Sequence, residues 1–140
     1  MIIVDTNVIS ELMRPAPSPE VLRWFGAQSA SALFTTTITV AEVLYGVELL
    51  AKGKRRSALE SAANLSFQED FAGRVLPFDV GAALLYPHIA AERRKAGRPM
   101  TSLDAQIAPI CLSRDARLAT RNIPDFENCG VELVNPWEAA

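Results

Sequence analysis

The chain has 140 residues, 49% of them apolar and 21% charged, with a formal net charge of −2 at neutral pH. That length suits one domain, residues 1–140, and the composition excludes a disordered or low-complexity protein. The slightly acidic balance argues against general polyanion binding, which depends on an excess of Lys and Arg to neutralise phosphates.

Ile2 to Val4 is a short β-branched run that ends at Asp5 and reads as a buried strand, followed by helical character from Asn7 to Met13. Ser18 before Pro19 reads as the N-cap of a helix facing the core with Val21, Leu22, Trp24 and Phe25. Ala32 to Thr36 is a second strand. Thr39 is expected to start a helix with Val40, Val43, Leu44, Val47 and Leu50 at helical spacing, stopped by Gly53. A further helix is expected over about Lys54 to Phe71, then a third strand from Arg74 to Phe78. Asp79 caps a helix reaching Lys95, with a kink or break expected at Pro87. Ser102 is the expected N-cap of a helix from Leu103 to Leu112. Arg117 to Thr120 and Val131 to Val134 are the last two strands, with NIPDFENCG as a loop between them.

Strands separated by helices pair in parallel, because a parallel pair needs a long crossover. The expected fold is a three-layer α/β/α sandwich with a mainly parallel sheet of about five strands. Cys111 and Cys129 have neither disulfide-scaffold density nor CxxC spacing, and read as packing residues in a reducing cytoplasm. The longest apolar region, Ile38 to Ala51, carries Glu42 and Glu48 and is shorter than the roughly 20 residues a spanning helix needs. No secretory leader is visible, so a soluble protein without membrane association is expected.

An acid ending an apolar strand costs free energy unless something compensates it. Asp5 is such an acid, and Glu42, Asp104 and Asp125 with Asn122 also lie near helix starts or strand ends. In a parallel α/β sheet, ligands bind beyond the carboxyl ends of the strands, so these positions can share one crevice. Two carboxylates about 4 Å apart repel by on the order of 4 kcal/mol at an effective dielectric near 20, so a close cluster must bind protons or a cation. Oxygen-only donors point to Mg²⁺ or Mn²⁺, since His88 is the one histidine and no zinc spacing is present.

Each acid also has a purely local explanation. Asp5 before TNVI suits an N-cap, and T-V-A-E, ending at Glu42, reads by itself as a capping box. Asp104 and Asp125 suit a helix first turn and a loop. His88 reads as a surface or packed side chain, and Trp24 and Trp137 as core anchors. The basic clusters Lys52, Lys54, Arg55, Arg56, then Arg93, Arg94, Lys95, Arg98, then Arg114, Arg117, Arg121 are either phosphate-binding patches or ordinary solvated faces. No GxGxxG, Walker loop or GxSxG occurs, which lowers nucleotide-binding and serine-hydrolase readings.

As a set, IIVDTNVISEL, TVAEVLYGV, SLDAQIA and LATRNIPDFENCGVELVNPW resemble a PIN-domain protein of the VapC type, close to its FitB-like branch, over almost the whole chain. The resemblance implies a Mg²⁺-dependent ribonuclease acting as the toxin of a bacterial type II toxin–antitoxin pair. It matches Asp5, Glu42 and Asp104 to the first three acids. The fourth position falls either on Asn122, directly after the TR pair, or on Asp125, and an amide at Asn122 would weaken a second metal site.

On this reading Asp5 and Asp104, with Glu42 directly or through water, hold Mg²⁺ or Mn²⁺ for hydrolysis of an RNA phosphodiester. Thr6 orients Asp5 or a metal-bound water, Asn122 and Asp125 complete the acidic wall or position a second cation, and basic residues around the crevice, Arg121 nearest in sequence, hold the RNA backbone. The resemblance further implies a homodimer and a VapB-like antitoxin whose helix fills an apolar groove and whose tail, often carrying arginine, occupies the acidic site. Val8 to Met13 and Val43 to Leu50 are the candidate groove segments. An alternative is a catalytically weak module that acts mainly with its antitoxin on operator DNA. An aspartyl phosphotransferase ranks last, because it wants a second aspartate where Asn7 stands.

Overall fold

Ile2, Ile3 and Val4 form β1 (Ile2–Val4), and their side chains alternate between two cores because successive residues of a strand face opposite sides of a sheet. Ile3 packs with one cluster and Ile2 and Val4 with the other. A strand apolar on both faces must have a layer on each side. The computed structural model, which describes residues 1–139, supplies both layers.

The chain continues through α1 (Thr6–Leu12), α2 (Pro19–Gly26), a 3₁₀ turn (Ala30–Ala32), β2 (Leu33–Thr36) and α3 (Thr37–Glu48). It goes on through α4 (Lys54–Leu65), a π turn (Ser66–Asp70), β3 (Val75–Leu76) and α5 (Val80–Lys95). The last elements are α6 (Asp104–Ser113), β4 (Arg117–Ala119), α7 (Ile123–Phe126) and β5 (Leu133–Val134). The five strands form one sheet in the order β3-β2-β1-β4-β5, and every pairing is parallel. Val8, Ile9, Val21, Val43 and Ala63 from α1 to α4 cover one face, and Ala82, Ile89, Ile107, Ile110 and Cys111 from α5 and α6 cover the other. Each such fully buried Ile or Val side chain contributes about 1.5–3 kcal/mol relative to exposure. Cys111 and Cys129 are free thiols inside this packing. No helix among the described residues is long and apolar enough to cross a membrane.

Several boundaries differ from the sequence expectation, each for a local reason. α3 begins two residues early, at Thr37, because Thr36 is the N-cap and its hydroxyl accepts from the Thr39 amide at 3.0 Å. Thr39 is therefore inside the helix, and the capping box with Glu42 does not form. Replacing Thr36 with Ala is expected to cost about 1 kcal/mol, the usual value of a Thr cap, and to lower the urea midpoint at unchanged slope.

The helix expected to run to Phe71 leaves α-helical geometry after Leu65, and the Phe71 amide donates to Ser66 O at 3.0 Å. β3 pairs only at Val75 and Leu76, because Pro77 has no amide to donate. α5 continues through Pro87 as one helix, and both Pro87 and Ala83, whose carbonyl the proline leaves without a helical donor, are exposed. Thr101, not Ser102, supplies the hydroxyl that caps α6, accepting from the Asp104 amide at 3.2 Å. The loop NIPDFENCG contains the short helix α7.

Sheet order decides where a site can lie. From β1 the chain steps outward to β2 and β3, then returns to the other side of β1 for β4 and β5. The reversal leaves a crevice beyond the carboxyl ends of β1 and β4, the place where parallel sheets bind ligands.

Candidate active site

Asp5 follows β1, Thr36 ends β2 and Thr120 follows β4, so adjacent strand ends deliver a buried acid and two buried hydroxyls to the crevice. Asp5 is 4% exposed. It does cap α1: its Oδ1 accepts from the Thr6 amide at 2.8 Å. Its other oxygen accepts from the Thr120 hydroxyl at 2.8 Å and from Asn7 Nδ2 at 3.1 Å. Asn7 also accepts the Arg121 amide at 3.1 Å, which ties α1 to the segment after β4.

Glu42 lies on α3, and its Oε1 accepts from the Thr6 hydroxyl at 2.9 Å. Thr6 thus serves two acids, Asp5 through its backbone and Glu42 through its side chain. Asp104 opens α6 on the opposite side of the sheet, half-buried. Asp125 lies in α7, exposed, and close enough for its charge to act on Asp104.

The acids disturb one another. Burial, then the charge of Asp5 and that of Asp125, push the Asp104 carboxyl from 3.8 up to about 6. Burial also raises Asp5, with Glu42 adding to the effect and hydrogen bonds from Thr120, Thr6 and Asn7 opposing it. Glu42 is raised by burial and by Asp104, against the Thr6 hydrogen bond. Among the described residues, none of these three acids has a basic partner within ion-pair distance.

Asn122 is exposed, and the bond it makes here is from its backbone amide to the Thr120 hydroxyl at 3.1 Å. Of the two candidates for the fourth position, Asp125 is the one whose charge acts on Asp104. The Arg121 guanidinium lies 5.0 Å from the centre of the Trp137 ring, so that tryptophan carries a cation as well as packing against the core. His88 is on the surface.

A PIN domain model matches residues 2–128. The chain belongs to the PIN-domain family. VapC ribonuclease Y4jK of Sinorhizobium fredii is 38% identical over 140 residues, spanning 100% of both chains. Toxin FitB of Neisseria gonorrhoeae is 36% identical over 137 residues, 98% of this chain and 99% of the relative. The solved structure of FitAB bound to the IR36 DNA fragment superposes with a TM-score of 0.92 at 36% identity, over 100% of this chain and 98% of that one.

In this PIN domain the donors are hard oxygens without bound counter-charge, which suits a divalent cation. No three His, Cys, Asp or Glu side chains among the described residues form a ready-made cage. Mg²⁺ does not require one, because it usually keeps several waters and is held by one or two carboxylates. The donor set therefore fits such an ion.

Beside the acids runs an apolar groove of about 790 Å³ between α1, α3 and α4. Met13, Val43, Val47, Leu50 and Leu59 line it together with Glu42. Val8, expected to face such a groove, is instead fully buried in the core.

Sequence reading missed Asn7, Thr120 and Arg93. The first two are ordinary polar residues whose roles depend on contacts 113 and 115 positions apart in the chain, Asn7 to Thr120 and Thr120 to Asp5. Arg93, placed by sequence in a basic surface cluster, is buried.

Proposed function

We propose that this PIN domain is a divalent-metal-dependent endoribonuclease, the toxin of a type II toxin–antitoxin pair. The reading rests chiefly on one feature, the mutual electrostatic coupling of Asp5, Glu42 and Asp104, none of them in an ion pair among the described residues, at the carboxyl ends of the sheet. The ribonuclease name of the 38% identical relative supports the substrate class.

Asp5 and Asp104 hold the cation, Mg²⁺ or Mn²⁺, and Glu42 contributes directly or through water. When bound, the cation supplies charge stabilisation for the phosphodiester and favours deprotonation of the attacking water. Thr120, Asn7 and the Thr6 amide keep the Asp5 carboxylate in one orientation, so it does not reorganise as charge develops. The Thr6 hydroxyl does the same for Glu42. Arg121, held against Trp137 at the rim, contacts the RNA backbone.

Incubating the free protein with cellular RNA tests the reading: cleavage is expected with Mg²⁺ and none with a chelator. Cleavage that persists in chelator overturns it. The alternative, a binding module that acts with its antitoxin on operator DNA, predicts cation binding with no cleavage. The solved FitAB relative is bound to an IR36 DNA fragment, which supports DNA binding by a toxin–antitoxin complex alongside cleavage.

The apolar groove is assigned to an amphipathic helix of the antitoxin, with an arginine of its tail reaching past Glu42 to the acids. Gly46 lies on the groove with open space at its Cβ position, so a side chain can start there, and Gly46→Trp is expected to project into the groove. This variant is expected to weaken antitoxin binding by at least about tenfold, the effect of blocking one well-packed anchor. Co-purification and titration calorimetry with the antitoxin measure it, and undiminished affinity removes the groove from the interface.

A further inference from the structure

α7 has four residues, Ile123–Phe126, too few to hold their place by helical hydrogen bonds alone, and the carbonyls at its end lack helical partners. Two arginines from a different part of the chain take those carbonyls. Arg93, in the last turn of α5, donates from Nη1 to Pro124 O at 3.3 Å and to Glu127 O at 2.6 Å. Arg98 donates from Nη2 to the same Pro124 O at 3.2 Å and pairs with the Glu127 carboxylate at 3.4 Å.

The two clamped carbonyls bracket Asp125 and Phe126. Phe126 is 1% exposed and anchors the segment in the core beneath α5 and α6. Asp125 is exposed, and its carboxylate takes no hydrogen bond from a described residue, so its location depends on the backbone that carries it. Arg93 is 5% exposed, has no carboxylate within ion-pair distance among the described residues, and its Nε lacks a partner. A buried guanidinium devoted to two backbone carbonyls is costly to fold. A planar fork can serve both carbonyls at once, which a lysine ammonium does less well.

We propose that Arg93, assisted by Arg98, is a positioning residue that fixes α7 so that Asp125 faces Asp104 across the acidic pocket. The inference rests on the nuclease reading. Arg93 acts on α7 through the Pro124 and Glu127 carbonyls, and its charge also acts on Asp104, lowering that carboxyl against the effect of burial.

A double-mutant cycle tests it, with Arg93→Met, Asp125→Asn and their combination. RNA cleavage gives kcat and KM, Mn²⁺ titration by calorimetry gives cation affinity, and thermal melting follows the fold. Arg93→Met is expected to lower kcat and Mn²⁺ affinity by about 10–100-fold, the usual effect of removing a group that orients an ion-binding side chain, with little change in KM. Arg93→Lys is expected to restore part of that loss. In the Asp125→Asn background, Arg93→Met should add far less than it does in the parent, leaving only the direct effect of the Arg93 charge on Asp104.

Equal losses in both backgrounds, or unchanged Mn²⁺ affinity, overturn the proposal. If Arg93→Met does not fold, the exposed Arg98→Ala carries the same cycle, with a few-fold loss expected that disappears in Asp125→Asn. An additive loss there also overturns it. A parent protein that neither cleaves RNA nor binds Mn²⁺ overturns the nuclease reading, and this inference with it, whereas an active parent with additive losses overturns this inference alone.

Discussion

Asp5→Asn is expected to reduce RNA cleavage by on the order of 10²–10³-fold, the usual loss when one preorganised charge-stabilising group is removed, while leaving the melting temperature within a few degrees of the parent. The structural reason is that Asp5 has two separable jobs. Its Oδ1 caps α1 by accepting the Thr6 amide, and Asn caps a helix as well as Asp does. Its charge, in contrast, is lost on conversion to the amide. The second oxygen accepts from Thr120 and Asn7; an amide nitrogen in its place makes the Thr120 hydroxyl turn and loses the Asn7 bond, a cost of about 1 kcal/mol for each disturbed hydrogen bond. Relief from the Glu42 charge acts in the opposite direction.

Asp5→Ala is the matching control. It removes cap and charge together, so cleavage and melting temperature should both fall. If Asp5 were only a cap, the Asn variant would cleave at the parent rate. Full cleavage by Asp5→Asn would therefore dismiss the catalytic role and leave the local one.

Asp104→Asn has the second large effect, with the sign of the stability change reversed from the usual one. Burial and the neighbouring acids push the folded-state carboxyl from the ordinary 3.8 up to about 6, so between those values the folded protein binds more protons than the unfolded chain. Stability linked to Asp104 is then present below about pH 4, declines as pH rises through about 6, and stays low above that. Asp5 and Glu42 are shifted in the same direction and add to the slope.

In chelator at pH 7, Asp104→Asn should melt above the parent, and its melting temperature should fall less between pH 5 and pH 7. Mg²⁺ should raise the parent's melting temperature at pH 7, because an ion that binds only the folded state stabilises it by mass action, and should raise the variant's much less. Cleavage should fall to the same low level as in Asp5→Asn. Scanning calorimetry at pH 5, 6 and 7, with and without Mg²⁺, reads all of these shifts. A variant less stable than the parent at pH 7 in chelator would show that Asp104 is held by contacts that outweigh the repulsion.

The sequence reading placed Glu42 among the acids of the site, yet its local pattern suggested a capping box. Both statements could not be resolved without knowing where α3 begins. Thr36 and Thr39 are equally good caps by residue type, and the choice is made by β2, whose last paired residue is Thr36 itself. Once α3 starts there, Glu42 is too deep in the helix to reach the first free amides and turns toward Thr6.

α7 was invisible for a related reason. A four-residue helix has no periodicity to read, and its stability comes from arginines about 30 residues earlier in the chain. Arg93 itself looked like one cation in a surface run, because nothing in the run ERRKAGR distinguishes the member that turns inward.

From residue patterns alone came the alternation of strands and helices, hence the parallel sheet, the position of Asp5 at the end of β1, and the oxygen-only donor set. These follow from short-range rules: side-chain periodicity, capping and the need for long crossovers between parallel strands. Tertiary structure decided the strand order that brings Asp5 beside Thr120, the approach of α6 that delivers Asp104, and the clamp that holds Asp125 near it. Those contacts join residues as far as 115 positions apart, and the free energy that selects them comes from burying both faces of the sheet at once, which no local stretch of sequence records.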